Sequence, residues 1–289
     1  RPMSLIDIVT GPVGAVRAAR EASRPASTAR RPPVRLTPGK LGPVGRLAGP
    51  AVVLLAWELS SQAGLLPERM LAAPSTALAT GWTMIVDGTL WPHLAASAMR
   101  AYSGLLIGVV LGLVMALAAG LTRAGEASID ALVQVKRAVP TLALIPLAIL
   151  WLGIGETMKV FLIVTSVMVP VYINTHAALR GIDIGHVELA RTVGLGRAEF
   201  IRRVALPGAL PGFFTGLRLA TTMCWTSLVV LELINTNNGI GYLMSRARDW
   251  GQTDIIVVGL FIYAFLGLAS DALVRWWEGR ALSLSLIHI

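Results

Sequence analysis

The chain has 289 residues, of which 55% are hydrophobic and only 14% are charged. Soluble domains carry about 25% charged residues, so this composition excludes a disordered chain and argues against an ordinary cytosolic enzyme. The single cysteine, Cys224, excludes an internal disulfide and argues against a cysteine-based metal site. The net charge of +9 is uneven, because residues 1–46 hold nine basic and two acidic residues. A basic tail on an apolar body is typical of a membrane protein rather than a nucleic-acid-binding protein.

Six apolar segments are long enough to cross a membrane, which takes about 20 apolar residues in a helix. In chain order they lie at about residues 45–66, 94–121, 127–152, 158–179, 209–234 and 255–276. The third segment is the weakest, because Pro140 and Pro146 interrupt it and Lys136 and Arg137 lie inside it. In the second segment the glycines at 104, 108 and 112 have a spacing that favours close helix packing, within one subunit or between two. The sequence therefore predicts an all-α membrane protein with six spanning helices.

Composition also divides the chain into regions. Residues 1–45 are rich in Arg, Pro, Ala and Ser, which predicts a disordered basic tail. The transmembrane domain is predicted over residues 46–280, with a polar loop at 180–208. The apolar stretch 281–289 lacks the charged finish expected of a cytoplasmic end, so we assign it no function and leave open whether it is native.

The basic residues predict the orientation of the six spans. Segment 180–208 holds five arginines, whereas the connections on the other side, at 67–93, 153–157 and 235–254, hold three basic residues together. An excess of basic residues marks the cytoplasmic side, so we expect both termini in the cytoplasm. Within 235–254, a short interfacial helix is predicted at 242–250.

Residues 180–208 form the longest polar interruption between two predicted spans. Asp183 is predicted to cap a first short helix, which Gly194 ends. A second short helix is predicted over 197–205, and Pro207 then lies near the first turn of the next span, where its missing N–H costs little. A helix–glycine–helix element at the membrane surface is suited to mechanical contact with a cytosolic partner.

This loop resembles the EAA loop of bacterial ABC importer permeases. That loop reads Glu-Ala-Ala, three residues, Gly, nine residues, Ile, one residue and Leu-Pro. The residues of this chain at those places are Glu188, Leu189, Ala190, Gly194, Val204, Leu206 and Pro207. Leucine at 189 and valine at 204 are mild apolar departures from the pattern. The resemblance implies that these seven residues couple the chain to an ATPase.

Further stretches, at 97–104, 137–156 and 235–242, make the chain similar to the nitrate/sulfonate/taurine branch of these permeases, with aliphatic sulfonate permeases the nearest. The resemblance covers about residues 50–280 and implies the six-helix type I ABC importer transmembrane domain, paired with a second copy as a homodimer. It also implies two ATP-binding subunits, which would bind ATP and Mg, and an external binding protein that delivers a small anionic solute. Membrane lipid surrounds such a domain, and no nucleic acid is expected.

The sequence carries no catalytic constellation. It contains no G-x-x-x-x-G-K-[ST] phosphate loop, no metal-ligand spacing and no G-x-S-x-G elbow. We therefore expect a non-catalytic subunit that binds no cofactor or metal itself, and these patterns argue against a membrane-embedded enzyme. A stand-alone secondary transporter or channel, with Arg218 and Glu232 in ion coupling, stays open as the alternative. Such a protein has no need of a protruding helix–glycine–helix loop.

Polar residues inside the apolar segments are candidates for the pathway, because ionisable groups at bilayer depth are costly. Arg218 is placed to attract an anion, and pairing with a carboxylate to hold helices together is its open alternative. Arg100 is predicted to snorkel outward, and Glu232 is predicted to anchor a helix or loop. The candidate pathway residues are Arg218, Thr222, Thr226 and Asn174.

Overall fold

The computed structural model describes residues 43–234 and 236–285, so the predicted tail at 1–45 lies almost entirely outside the described residues, as do residues 286–289. The chain divides into two units, Arg1–Val53 and Leu54–Ile289. In the first unit, residues 43–53 are helical and belong to helix α1, which spans Pro43–Gln62.

The described part of the second unit is helical and contains no strand. A single helical turn at Arg123–Gly125 and a π-helical turn at Glu126–Asp130 precede the fourth helix, and a 3-10 turn at Thr141–Leu144 precedes the fifth. A π-helical stretch at Ile201–Ala205 joins the eighth to the ninth. The helices are α2 (Pro74–Val86), α3 (Leu90–Leu121), α4 (Ala131–Ala138), α5 (Ile145–Leu152), α6 (Glu156–Arg180), α7 (Ile184–Thr192), α8 (Arg197–Phe200), α9 (Leu206–Leu233), α10 (Ile240–Asp249) and α11 (Thr253–Ser285).

Four helices among the described residues are long and apolar enough to cross a membrane: α3, α6, α9 together with α8, and α11. They match the predicted second, fourth, fifth and sixth spans. The third consists of two helical segments, Glu126–Ala138 and Thr141–Leu152, bent by 89°. Pro140 lies at this break and explains it, because proline disfavours helical backbone at the residue before it. The predicted first span coincides with α1, which is not among these apolar helices, so that span stays a prediction.

Helix α2 lies within the segment 67–93, for which the sequence analysis predicted a connection and no helix. It begins at Pro74, whose fixed φ suits a first helical turn. Its buried Ala77 packs against Val257 and Val258 of α11. The partner helix lies far along the chain, which explains why the local sequence pattern did not reveal α2. The short helix predicted at 242–250 is confirmed as α10, which begins two residues earlier.

Helix α6 is the centre of the bundle, because glycines on both neighbouring helices allow close approach. On α3, a Cβ at Gly112 would lie 2.6 Å from the carbonyl oxygen of Met168. On α9, a Cβ at Gly216 would lie 2.7 Å from the carbonyl oxygen of Pro170. The close packing predicted from the glycine spacing in α3 is therefore confirmed, and it occurs within one subunit.

Candidate functional site

Helix α7 carries the first predicted coupling residues on a short helix between α6 and α9. The Oδ1 atom of Asp183 accepts the N–H of Gly185 at 2.8 Å, which confirms the predicted cap. After the helix, Leu195 donates its N–H to the carbonyl of Ala190 at 2.9 Å. Gly194 adopts a φ of +74°, a conformation that side chains other than glycine rarely take. Glycine at this position therefore allows the chain to turn sharply between the two halves of the loop.

Helix α7 and the residue that follows it expose large apolar side chains beside an acidic one. Leu189 is 62% exposed and Val193 is 67% exposed, and Glu188 is exposed as well. Ala190 is buried, so its side of the helix packs against the rest of the chain. Exposed apolar groups that lie together on a polar segment mark a surface suited to contact with a partner. We call Glu188, Leu189 and Val193 the α7 patch.

The second half of the loop is continuous with the span that follows. A single helical run extends over Ala198–Leu233, whereas the sequence predicted a separate short helix over 197–205. The N–H of Leu206 donates to the carbonyl of Ile201, the i to i+5 bond of a π-helix. The helix passes Pro207 without a break through this π-helical turn. Val204, Leu206 and Pro207 therefore lie at the base of a rigid rod.

Three of the four predicted pathway residues line one cavity of about 700 Å³ between α9 and α11. Arg218, Thr222 and Thr226 follow one another at intervals of four residues, which places them on one face of α9. The hydroxyl of Thr222 donates to the carbonyl of Arg218 at 3.2 Å, and that of Thr226 donates to the carbonyl of Thr222 at 2.9 Å. Asp271 of α11 lines the opposite wall.

Asn174, the fourth predicted pathway residue, lies elsewhere. Its Nδ2 donates to the carbonyl of Pro170 at 2.8 Å. Its backbone and Cβ lie against Gly212 and Gly216, in the contact between α6 and α9. The structure therefore separates Asn174 from the other three residues and places it in helix packing.

Arg218 belongs to a trio of charged residues. Its Nε donates to Oδ1 of Asp271 at 3.2 Å, and Nη1 of Arg275 lies 2.5 Å from Oδ2 of the same aspartate. Both alternatives left open for Arg218 have support, because it has a carboxylate partner and also lines the cavity. The sequence analysis missed Asp271 and Arg275, although a carboxylate inside the sixth apolar segment was an available signal. Among the described residues, no cluster of His, Cys, Asp or Glu could hold a metal ion.

Arg100 lies in a second, buried ion cluster. Its side chain is 4% exposed, and it donates to the carboxylate of Glu156 at 2.5 and 2.7 Å and to that of Glu232 at 2.6 Å. It also donates to the backbone carbonyl of Asn238 at 2.9 Å. The prediction that Arg100 snorkels outward is therefore wrong. Two carboxylates distant in sequence supply the partners that a buried guanidinium requires.

Glu232 anchors several elements at once, as predicted. It is fully buried, and its carboxylate accepts the hydroxyls of Ser97 at 2.7 Å and of Tyr263 at 2.8 Å. It also accepts the N–H of Gly241 at 3.0 Å. These bonds tie the end of α9 to α3, α10 and α11, so the anchoring role is confirmed.

Comparison with known proteins identifies the family. Residues 108–282 match the family described as "Binding-protein-dependent transport system inner membrane component". The chain belongs to this family. The "Putative aliphatic sulfonates transport permease protein SsuC" of Escherichia coli (strain K12) is 44% identical, over 79% of this chain and 87% of that protein. The "Taurine transport system permease protein TauC" of the same organism is 33% identical, over 80% and 86%. These relatives place the chain in the sulfonate and taurine branch of ABC importer permeases, as the resemblance predicted.

A solved structure supports the fold. The chain aligns with the solved structure described as "Crystal structure of an amino acid ABC transporter with histidines". The TM-score is 0.58 and the identity 19%, over 69% of this chain and 97% of that one. The helical bundle is thus the fold of an ABC importer transmembrane domain. Together with the family, this makes the chain a multi-pass permease subunit of the bacterial inner membrane, in a class of transport subunits that are not catalytic.

Proposed function

We propose that this permease pairs with a second copy and imports a small anionic solute of the sulfonate, taurine or nitrate type. An external binding protein delivers the solute, and two separate ATP-binding subunits, which bind ATP and Mg, drive its passage. The α7 patch carries this proposal, because Leu189 and Val193 expose apolar surface on a polar loop. Docking of a cytosolic subunit would remove that surface from water, which is favourable. In this arrangement the loop 180–208 and both termini face the cytoplasm.

The loop is connected to the spanning helix in a way that suits it to transmit a movement. One helical run leads from Ala198 to Leu233, and Gly216 holds it tightly against α6. A displacement of the loop therefore moves α9 as a rod, together with the face that carries Arg218. An effector shifts the equilibrium between two conformations only by the difference in its affinity for them. Closure of the ATP-binding subunits on the α7 patch would supply that difference.

The exposed polar residues of α9 support the pairing of two copies. Thr215, Thr222 and Thr226 are all exposed on this apolar helix. Their hydroxyls donate to backbone carbonyls one turn back, but the ionisable Arg218 of the same helix is 42% exposed, and ionisable groups in membrane spans face the bundle interior or a water-filled cavity. A second copy opposite this face would enclose such a cavity between the two subunits.

Substitutions in the loop test the coupling. Glu188→Lys reverses the charge of the α7 patch, and Gly194→Val forces a side chain into left-handed backbone at a cost of about 1–2 kcal/mol. We expect each variant to insert normally and to lose at least about tenfold in uptake, equivalent to about 1.4 kcal/mol of coupling, while ATP hydrolysis continues. The measurement is ATP-dependent uptake in proteoliposomes, alongside ATPase activity.

Glu68→Lys, the same charge reversal at an exposed residue before α2, is the matched control and should leave uptake unchanged. Normal uptake by the Glu188 and Gly194 variants would contradict the coupling role. Uphill uptake without any ATP-binding subunit would favour the secondary transporter instead.

A further inference from the structure

A second cavity, of about 330 Å³, lies at the start of α9, between this helix and α3. Its volume is within the range of about 300–1,000 Å³ that is common for binding pockets. Leu117 of α3 and Leu210 and Phe213 of α9 line it, so its wall is mainly apolar. It is separate from the cavity with Arg218, because the two share no lining residue. An apolar cavity in a membrane domain suits a hydrocarbon chain.

One buried hydroxyl at the wall of this second cavity lacks a partner. Thr175 of α6 lines the cavity and is 1% exposed, and its hydroxyl has no hydrogen-bond partner among the described residues. The hydroxyls of Thr215 and Thr221 on α9, by contrast, each donate to a backbone carbonyl one turn back. Buried polar groups are nearly always paired, because leaving one unpaired is costly. Thr175 therefore indicates that a molecule suited to this cavity carries a hydrogen-bond acceptor.

A guanidinium group lies at one end of the second cavity. Arg202 lines it and is exposed, and within residues 43–234 and 236–285 it has no hydrogen-bond or ion-pair partner. Arg203, the next residue, pairs with Glu199 at 2.8 Å and does not line the cavity. No carboxylate of the described part of the chain lines the cavity, so the charge of Arg202 is not cancelled there. A guanidinium with free donors binds phosphate oxygens strongly.

The distance between the charged and the apolar end of the cavity corresponds to one leaflet of a membrane. Arg202 and Phe213 lie about 16 Å apart along the helical run Ala198–Leu233, at a rise of about 1.5 Å per residue. The hydrocarbon core of one leaflet is about 15 Å thick, so Arg202 lies at headgroup depth when Phe213 lies near the middle of the bilayer. In the proposed function this end of α9 faces the cytoplasm, and basic residues on that side attract anionic lipid headgroups.

We propose that the second cavity binds one anionic phospholipid of the cytoplasmic leaflet. Arg202 binds the phosphate, the hydroxyl of Thr175 donates to an ester carbonyl oxygen, and one acyl chain packs between α3 and α9. The lipid also contacts Leu206 and Pro207, which line the cavity, so it supports the junction between the loop 180–208 and α9. This inference rests on the proposed function only for the side of the membrane.

Native mass spectrometry of the full-length permease in detergent, titrated with dioleoyl phosphatidylglycerol, tests the lipid site without any partner subunit. We expect Arg202→Gln to weaken binding of this lipid by at least about tenfold, equivalent to about 1.4 kcal/mol. Leu210→Trp, which fills the cavity, should weaken binding at least as much. Thr175→Val removes only the hydroxyl and should weaken binding by at least about threefold. It should not lower the unfolding temperature, because the hydroxyl makes no hydrogen bond within the described residues.

Arg203→Gln is the matched control, because it removes the same charge from the adjacent residue, which pairs with Glu199 instead of lining the cavity. This variant should bind phosphatidylglycerol within about threefold of the wild type. Dioleoyl phosphatidylcholine, whose headgroup carries no net charge, should bind at least about tenfold more weakly than phosphatidylglycerol. Inorganic phosphate, which has no acyl chain, should not displace the lipid.

Thermal unfolding identifies any variant that fails to fold. Arg202→Gln changes an exposed side chain, so it keeps the test decisive if Leu210→Trp does not fold. Equal binding of the two lipids, equal losses in the Arg202 and Arg203 variants, or unchanged binding in folded Leu210→Trp would overturn the inference, because each would show general attraction to the surface. Displacement of the lipid by inorganic phosphate would overturn it in favour of a free phosphate site. All of these outcomes leave the proposed function standing, since ATP-dependent uptake tests that function separately.

Discussion

Arg100 and Glu232 form a buried pair whose charge is balanced within a four-residue cluster. Lys159, which is 3% exposed, adds a second cation at 3.2 Å from Glu156, so two cations face two carboxylates. Removing one partner of a buried pair leaves an uncompensated charge, which costs about 3–5 kcal/mol. The cluster should therefore matter more for stability than any exposed ion pair of the chain.

Replacing Arg100 with methionine tests this at the residue scale. The variant Arg100→Met leaves Glu232 buried without its cation, so we expect a loss of about 3–5 kcal/mol in stability, seen as a markedly lower unfolding temperature in detergent. Arg248→Met breaks the exposed pair with Asp249 and should cost at most about 1 kcal/mol. Equal shifts in the two variants would show that the cluster adds no stability.

The sequence indicates that the charged residues within the apolar segments have a structural or functional role, but it does not show where their partners lie. A carboxylate near the end of an apolar segment indicated an anchor, and Glu232 is one. The partner of Arg100 could not be found, because Glu156 and Glu232 lie 56 and 132 residues away and no local spacing connects them. Asp271 carried a local signal, because it is a carboxylate inside the sixth apolar segment, but the pattern does not show that Arg218 is its partner.

At the scale of elements, α6 is held between two glycine-bearing helices. The spacing of Gly104, Gly108 and Gly112 predicted close packing, but it could not show which helix packs there. The structure answers this, since the side chains of Ile163 and Val167 on α6 fill the space that a Cβ at Gly104 or Gly108 would need. Any side chain on this stripe would push α3 away from the centre of the bundle.

A pair of alanine substitutions measures this packing. In Gly112→Ala the new Cβ meets the backbone oxygen of Met168 at 2.6 Å, so α3 must shift, and we expect a loss of about 1–3 kcal/mol. In Gly279→Ala the new Cβ meets nothing within 4 Å, and alanine favours a helix over glycine by about 1 kcal/mol. The thermal unfolding temperature should therefore fall in Gly112→Ala and rise in Gly279→Ala. A Gly112→Ala variant as stable as wild type would refute the tight contact.

Periodicity and proline positions predicted most of the elements. Besides the 89° bend within the third predicted span, the structure differs from the prediction in two places. Helix α2 was missed because its 13 residues are ordered by contacts with α11. The π-helical turn at Ile201–Ala205 was missed because a proline two residues later is usually a sign of a new helix. In the second case the difference bears on the proposed coupling, since the turn makes the loop and the span one continuous helix.

At the scale of the whole molecule, the helical run over Ala198–Leu233 connects two sites. The loop that contains the α7 patch leads into its first residues, and the cavity with Arg218 lies along its middle. Gly216 keeps this run in contact with α6, the centre of the bundle. A force on the loop would therefore reach the cavity through one continuous element, which is the physical basis of the coupling that we propose between ATP hydrolysis and transport.

The most direct test of this account is cross-linking at the α7 patch. Leu189→Cys is introduced into a chain whose buried native Cys224 is replaced by alanine, and the assembled importer in inverted membrane vesicles is treated with a short cross-linker. One end of the cross-linker is a maleimide that reacts with the thiol of residue 189, and the other is a photoreactive group that inserts into the C–H bonds of any polypeptide in contact. We predict a covalent product that joins residue 189 to the ATP-binding subunit, and no such product from Ser245→Cys on α10. Absence of the product, together with labelling of residue 189 by an impermeant maleimide from outside intact cells, would contradict the account.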